Sequence, residues 1–359
     1  FFFAPHHPHA CPRIINTHTP TYTNMRIPAP SSPPPLSPYG TFTGSLFQYS
    51  SSPSLIAFES KPPAFTTTQT KNKCILLGGL SDGPIPTPYT KHLEHICHSH
   101  NWSLVQPVLS SSYLGFGHGS LDRDTNEICK LMNYLLCHSC GGGEEEEEDG
   151  VEPTFALVGH STGCQNSVHF VKYGQEDLVK RTKVIALQAP VSDREGPSQE
   201  PQYNSNIEHA RKLKKEGNEN EIMPRSAFWA PITASRFLSL QDVGGDDDFF
   251  SSDLNREEMK DKLGHIGKVG EEYGLNVLVA YSGDDEYVPE FVDKEQLVDK
   301  MCFAMNSQCS SSSVKVARPF MIPTGNHNLS KGEGDAERFV EAVGEMLSNL
   351  PKQSLPAEQ

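Results

Sequence analysis

A serine set between two glycines is the first residue whose position in this chain suggests chemistry. The stretch TFALVGHSTGCQNSVHF (154–170) runs from an apolar segment through GHSTG (159–163) into an amphipathic segment. At a strand-to-helix turn, such glycines let strand and helix approach closely while the serine hydroxyl stays exposed. Glycine and serine also form ordinary turns, so a nucleophile at Ser161 requires a base and an acid elsewhere in the chain.

An acid and a base follow Ser161 in chain order. SGDDEYVP (282–289) places Asp284 and Asp285 after an apolar segment, and GNHNLS places His327 in a loop before the last helical segment. A histidine can accept the serine proton, and a carboxylate can hold that histidine in the required tautomer. The three loops together predict a Ser-His-Asp triad.

The hydrophobic pattern shows which elements would position these loops. Apolar segments such as CILLGGL (74–80), VIALQAP (184–190) and NVLVAYSG (276–283) alternate with segments of helical periodicity, the last from about residue 334 to 350. TFTGSLFQY and SLIAFES predict a β-hairpin between residues 41 and 60. Because fully apolar strands are buried on both faces, we expect an α/β fold with a mostly parallel central sheet and helices on both sides.

One main domain is predicted over residues 41–350. Residues 1–40 are rich in Pro, Ser, Thr and His without an apolar period, which predicts disorder, and residues 351–359 are predicted to form a flexible tail. The strand–helix alternation is interrupted from about residue 193 to 270. An insertion at that point would lie over the carboxyl ends of the strands, so we expect it to be a lid.

Composition and charge exclude several classes of partner. The 359 residues include 30 Lys and Arg against 45 Asp and Glu, a formal net charge of −15. Such a field repels nucleic-acid phosphates and anionic lipid headgroups. No apolar run approaches the roughly 20 residues that span a bilayer. We therefore expect a soluble globular protein that binds neither nucleic acid nor membranes.

The cysteines predict a cytoplasmic location. Nine cysteines, an odd number, are scattered through apolar segments, as is usual in a reducing compartment. No acidic residue precedes Glu59, which leaves organelle targeting by the N-terminal segment open. The C-x-x-C pair in CHSC (137–140) is predicted to end a helix, the histidines of KHLEHICHSH (91–100) to form a surface stripe, and the glutamates at 144–148 to lie in a solvated loop.

Several of these motifs together resemble one family of proteins. From about Thr41 to Leu350 the chain resembles the α/β-hydrolase superfamily. The set LLGGLSDG, VGHSTGCQ, LQAPVSDRE, PITASRFLSL, GGDDDFFSSDL, SGDDEYVP and GNHNLS is similar to the uncharacterised hydrolases that include the fusarinine C (siderophore) esterases. The resemblance implies an α/β-hydrolase fold and a serine esterase that cleaves a small-molecule ester through an acyl-enzyme. It does not fix the ester, and the chemistry requires no metal and no organic cofactor.

The same resemblance implies roles for individual residues. Ser161 is the implied nucleophile, His327 the base, and either Asp284 or Asp285 the acid. Asp285 is favoured because in many relatives the acid lies four positions before the proline of a Val-Pro pair. Asp193, after LQAPVS, is the fallback, since some α/β-hydrolases carry the acid one strand earlier.

Backbone N–H groups are expected to stabilise the oxyanion of the tetrahedral intermediate. The predicted donors are Thr162, which follows the nucleophile, and Leu80 in GGLSDG. This loop has Gly78 where many relatives have histidine, which leaves the exact donor open. Three aromatic residues of the insertion are predicted to line the substrate site: Phe228, Trp229 and Phe237.

Two other functions are compatible with the same residues. One is a non-catalytic receptor that binds a small ligand under the lid. The other is an acyltransferase or thioesterase, which shares the acyl-enzyme. Sustained ester turnover that depends on Ser161 separates an enzyme from a receptor, and dependence on an acceptor separates a transferase from a hydrolase. The sequence leaves the oligomeric state open.

Overall fold

The computed structural model describes residues 39–62, 72–139, 153–311 and 313–350. Four features discussed above therefore lie outside the described residues: the N-terminal segment up to residue 38, Cys140 of the C-x-x-C pair, the glutamates at 144–148 and the tail at 351–359.

Eight described strands form one sheet. They are β1 (Gly44–Ser51), β2 (Ser54–Ser60), β3 (Asn72–Leu77), β4 (Trp102–Val108), β5 (Phe155–His160), β6 (Thr182–Gln188), β7 (Asn276–Ser282) and β8 (Ala317–Ile322). Their order across the sheet is β1-β2-β4-β3-β5-β6-β7-β8. The predicted hairpin is β1–β2, which is antiparallel, and β2 also runs antiparallel to β4. All other neighbouring strands are parallel, so the mostly parallel sheet predicted from the sequence is confirmed.

Ten α-helices are described. They are α1 (Thr90–Ser99), α2 (Leu121–Ser139), α3 (Thr162–Tyr173), α4 (Glu176–Arg181), α5 (Tyr203–Lys215), α6 (Ala234–Gln241), α7 (Arg256–Leu263), α8 (His265–Tyr273), α9 (Lys294–Asn306) and α10 (Asp335–Ser348). Two short 3₁₀-helices lie at Tyr113–His118 and Pro197–Gln199.

Alternate side chains of each central strand enter different hydrophobic cores. On β3, Ile75 and Leu77 join the core that is covered by helices including α2, α3 and α9. Cys74 and Leu76 join the opposite core, which α1 and α10 cover. Successive side chains of a strand point to opposite faces, so an uninterrupted apolar strand requires helices on both sides of the sheet. The predicted α/β class follows from this arrangement and is confirmed.

The predicted lid segment, residues 193–270, is divided between two cores. Helices α5 and α6 pack against each other in a separate cluster with residues such as Ile207, Ile232 and Phe237. Phe250 and the residues of α7 and α8, in contrast, belong to the main core on one face of the sheet. Within the described residues of this segment, the part around α5 and α6 has a core of its own. A lid over residues 193–270 stays a prediction.

Candidate active site

Ser161 lies on a sharp turn between β5 and α3. Its backbone has φ 53° and ψ −122°, a region that costs a non-glycine residue about 1–3 kcal/mol. A Cβ atom at Gly159 would lie 2.4 Å from the carbonyl oxygen of Gly163, and one at Gly163 would lie 2.2 Å from that of Leu77. Only glycine fits at these two positions, so the glycines permit the close strand–helix packing that the turn requires.

The serine side chain faces a large cavity at the carboxyl ends of the strands. The cavity has a volume of about 710 Å³, and both Ser161 and His327 line it. The backbone around the serine is held on both sides, since Ser161 N donates to the carbonyl oxygen of Gln188 (3.0 Å) and Cys164 N donates to that of Ser161 (2.8 Å). The hydroxyl and the imidazole therefore share one chamber that is open to a ligand.

His327 is paired with a buried carboxylate. Its Nδ1 lies 2.8 Å from Oδ2 of Asp285, whose other oxygen accepts a 3.0 Å hydrogen bond from Tyr287 N. Because an ionised carboxylate can only accept, Nδ1 carries the proton and Nε2 remains as the basic nitrogen. Among the described residues, the His327 ring hydrogen-bonds to Asp285 rather than to Ser161. The serine–histidine contact of a free enzyme often tightens only when substrate binds.

The other two candidate acids lie elsewhere. Asp284 is exposed, and its backbone N donates to the carbonyl oxygen of Gly325 (2.9 Å). Asp193 lines the cavity that Ser161 and His327 share, but its carboxylate accepts a 2.8 Å hydrogen bond from Gln165 Nε2 and none from His327. Of the three aspartates, only Asp285 is bonded to the imidazole.

Burial changes the ionisation of Asp193. Its pKa rises from 3.8 to about 7, first because it is buried and second because Asp247 is nearby, while Arg236 and His327 oppose the rise. A carboxyl group that titrates near neutral pH therefore lies at the wall of the catalytic cavity.

The loop that carries His327 is fixed by hydrogen bonds to its backbone. His327 N donates to Glu286 Oε2 (2.9 Å), and its carbonyl oxygen accepts from Gln188 Nε2 (2.9 Å). The ring of Tyr287 packs edge-on against the imidazole with centroids 4.6 Å apart. These contacts restrict both the position and the tilt of the imidazole.

Gln188, at the end of β6, was not predicted from the sequence as a site residue. Its side-chain oxygen lies 2.6 Å from His160 Nδ1 and accepts a 3.1 Å hydrogen bond from Tyr89 OH, while its amide nitrogen donates to His327. Its backbone oxygen accepts from Ser161 N. One buried residue thus contacts the loops of both the serine and the histidine. A glutamine that ends an apolar strand, as in VIALQ, is the signal that points to it.

His160, next to the serine, is kept neutral. Its pKa is lowered to about 3, first by burial and second by nearby His327, although the hydrogen bond to Gln188 opposes the change. A pKa this low makes the imidazole a weak base for the Ser161 proton, and its Nδ1 already lies against Gln188. His160 therefore packs the site, and His327 is the histidine available for proton transfer.

The predicted oxyanion loop lies against the nucleophile. A Cβ atom at Gly79 would lie 2.9 Å from Cβ of Ser161. Gly79 N donates to Oδ2 of Asp82 (2.8 Å), so this carboxylate caps the turn and occupies that N–H group. Neither Leu80 nor Thr162 donates its backbone N–H to another described residue, and Thr162 is the first residue of α3, where N–H groups lack helical acceptors.

The three predicted substrate-binding aromatics occupy two different environments. Phe228 and the largely exposed Trp229 line the cavity that contains Ser161. Phe237 does not line that cavity; it is buried in the lid core and meets Phe228 edge-on at 6.3 Å. Its helical spacing in α6 directs it into the core, where it supports Phe228, and it also lines a neighbouring cleft. A contact between Phe237 and the substrate stays a prediction.

The histidines of α1 are structural. His98 Nε2 lies 2.9 Å from Ser60 Oγ, and His92 lies 3.5 Å from Glu337 at the surface. Within the described ranges, no group of three His, Cys, Asp or Glu residues is placed to hold a metal ion. No helix in the described part of the chain is both long and apolar enough to cross a bilayer.

Residues 30–348 match a protein family described as "protein of unknown function (DUF1749)". The chain belongs to this family. A UPF0613 protein of Schizosaccharomyces pombe is 33% identical over 288 residues, which cover 77% of this chain and 87% of that protein.

The names of two other similar proteins state an activity. Fusarinine C esterase sidJ of Aspergillus fumigatus is 29% identical over 357 residues, which cover 88% of this chain and 98% of that protein. The solved structure of siderophore hydrolase EstB from Aspergillus fumigatus matches with a TM-score of 0.70 at 28% identity, covering 87% of this chain and 98% of that one. The predicted α/β-hydrolase fold and the resemblance to the fusarinine C esterases are thereby confirmed.

Proposed function

We propose that this chain is a serine esterase that hydrolyses a small-molecule carboxylic ester through the triad Ser161, His327 and Asp285. The observation that carries the proposal is the 2.8 Å contact between His327 Nδ1 and buried Asp285, at a cavity that Ser161 also lines. The esterase and hydrolase names of the relatives support the same reaction class.

The reaction proceeds in two steps at one serine. Ser161 Oγ attacks the ester carbonyl while His327 Nε2 takes its proton, and the resulting imidazolium is stabilised by Asp285. The N–H groups of Leu80 and Thr162 stabilise the tetrahedral oxyanion. His327 then gives its proton to the leaving alcohol, and an acyl-enzyme remains. Water activated by His327 attacks that acyl-enzyme and releases the acid.

The part of the chain around α5 and α6 acts as a lid over this site. Phe228 and Trp229 come from that part and line the cavity, and Phe237 supports them from the lid core. Because these side chains contact the substrate away from its reacting bond, they contribute binding area rather than chemistry.

Turnover of p-nitrophenyl acetate tests the proposed function. The wild-type protein should release p-nitrophenol through many cycles, and Ser161→Ala should reduce kcat by about 10⁴-fold or more. A receptor would bind the ester without sustained release. A transferase would require an added acceptor alcohol or thiol for full rate. Unchanged turnover in Ser161→Ala would refute the esterase assignment.

A further inference from the structure

A second cleft adjoins the catalytic cavity at the lid. It has a volume of about 720 Å³. Five residues line both spaces: Pro197, Glu200, Phe228, Trp229 and Gln241. Each space alone falls within the roughly 300–1,000 Å³ of a small-molecule site. The two together exceed what a short-chain ester needs.

An aromatic wall separates the two spaces. The rings of Phe228 and Trp229 stack with centroids 5.8 Å apart and an interplanar angle of 29°. Phe237 packs against Phe228 from the lid core, and Trp229 packs on Phe116 at 5.2 Å. Since the wall is braced from behind, a ligand that extends from Ser161 into the second cleft would pass along a firm apolar surface.

Beyond this wall the cleft has polar side chains among apolar ones. Asn206 of α5 and Arg225 line it, and neither side chain has a hydrogen bond or ion pair with another described residue. Tyr203 also lines the cleft, but its hydroxyl donates to the carbonyl oxygen of Gln241 and joins α5 to α6. The cleft therefore offers a free guanidinium and a free amide to a ligand, and both can donate to oxygen atoms.

We propose that this cleft is a distal subsite, which binds the polar far end of an extended ester while the ester carbonyl lies at Ser161. The wall of Phe228 and Trp229 contacts the apolar middle of such a substrate, and Arg225 and Asn206 donate to carboxylate, carbonyl or hydroxyl oxygens at its end. The inference rests on the proposed esterase function and adds the substrate class: long esters that carry a second oxygen-rich group.

Two adjacent residues of α5 provide a matched test. Asn206 lines the cleft, whereas the neighbouring Ser205 is exposed and does not line it. Asn206→Trp should fill the distal subsite, and Ser205→Trp should add the same ring outside it. Three probes are used: p-nitrophenyl acetate, the mono-p-nitrophenyl ester of octanedioic acid, and 8-acetoxyoctanoic acid. The two extended esters carry a carboxylate at the end of an apolar chain, on the acyl side and on the alcohol side.

Asn206→Trp should raise KM by about tenfold or more for at least one extended ester, because the filled cleft removes binding area. The same variant should change kcat/KM for p-nitrophenyl acetate by less than about twofold. Ser205→Trp should leave all three reactions unchanged. Arg225→Gln should raise KM for the extended esters only. Because Arg225 is exposed, this substitution should not disturb folding, and it provides a second test if Asn206→Trp misfolds.

The subsite is refuted if neither extended ester is affected by Asn206→Trp and Arg225→Gln, or if the acetate loses as much as the extended esters. In either case the wild-type protein would still hydrolyse p-nitrophenyl acetate. Failure of the proposed function looks different, because the wild-type protein would then not hydrolyse p-nitrophenyl acetate, or would do so without Ser161.

Discussion

Asp284 and Asp285 are neighbours in the chain but have different surroundings. Asp285 is buried against His327, and Asp284 is exposed. Asp285→Asn should lower kcat by about 10⁴-fold with little change in KM, because the amide favours the wrong tautomer of the imidazole. Asp284→Asn is the matched control and should change kcat by less than about threefold. Steady-state kinetics on p-nitrophenyl acetate measures both, and a larger loss in Asp284→Asn would exchange the two roles.

Gln188 connects the nucleophile loop and the histidine loop through its side-chain amide and its backbone oxygen. Gln188→Leu removes the hydrogen bond to the His327 carbonyl and puts an apolar side chain of similar size in place of the amide. We expect kcat to fall about 10- to 100-fold with KM nearly unchanged, since a small displacement of the base costs rate rather than binding.

Asn306 provides the control for Gln188. Its side chain also makes several hydrogen bonds to the backbone, including a 2.8 Å bond to the Ala317 carbonyl at the beginning of β8, remote from the catalytic cavity. Asn306→Leu should lower the melting temperature to a similar extent as Gln188→Leu but leave kcat unchanged. Parallel losses of kcat in the two variants would mean that Gln188 acts only through stability.

The elbow, the acid loop and the histidine loop could each be predicted from local patterns. An apolar segment followed by GHSTG and an amphipathic segment specifies a strand, a tight turn and a helix within a few residues, and β5 and α3 occupy these places. Gln188 could not be identified in the same way. Its partners Tyr89, His160 and His327 come from separate parts of the chain, and their approach depends on the order of strands in the sheet.

The division of residues 193–270 between two cores could not be predicted, for a related reason. Helices α7 and α8 have amphipathic sequences, but periodicity shows only that one face is buried and not which core buries it. Met259, Leu263 and Ile266 are in the main core. Phe237, which the sequence predicts as a substrate contact, is buried in the cluster of α5 and α6 and also lines the second cleft.

Trp229 is the lid residue with the clearest expected role in binding. Its ring is 57% exposed and lines the catalytic cavity, so its removal leaves little void behind. Trp229→Ala should raise KM for long or aromatic esters by about tenfold, because a bulky substrate loses contact area worth about 1.4 kcal/mol of binding free energy. The kinetics on p-nitrophenyl acetate should be nearly unaffected, since this small ester does not use that contact. Equal losses on small and bulky esters would exclude a lid contact.

The stability of the whole protein should depend on the protonation of Asp193. Its pKa is about 7 in the folded protein, mainly because of burial, against an ordinary value of 3.8. Between these two pH values the unfolded chain has lost a proton that the folded protein keeps, so the free energy of unfolding falls as pH rises through this window. Above about pH 7 the loss is complete.

Asp193→Asn removes this titration and can still accept the hydrogen bond from Gln165. The melting temperature of the variant relative to wild type should therefore increase from pH 5 to pH 7 and then level off. Thermal unfolding followed by circular dichroism at several pH values measures the difference. A difference that stays constant from pH 5 to pH 7 would show that Asp193 is ionised in the folded protein throughout.

The fold as a whole was easier to predict than the cavity it encloses. Strand β5 is buried throughout and β6 at every position but Lys183, and such strands require a covered parallel sheet. The walls of the cavity come from distant loops, including Asp82, Ser192 and Glu286. These residues lie in motifs that the sequence shows, but the shape of the cavity depends on how the loops meet and has no local pattern.

The reactivity of one serine decides whether the triad exists. We predict that a fluorophosphonate probe labels Ser161 alone, as located by peptide mass spectrometry, because only a serine with an adjacent base reacts quickly. His327→Ala should slow the labelling by about 10³-fold or more, and Ser161→Ala should take up no label. Labelling of Ser161→Ala at the wild-type rate, or of a different residue in the wild-type protein, would contradict a nucleophile at Ser161.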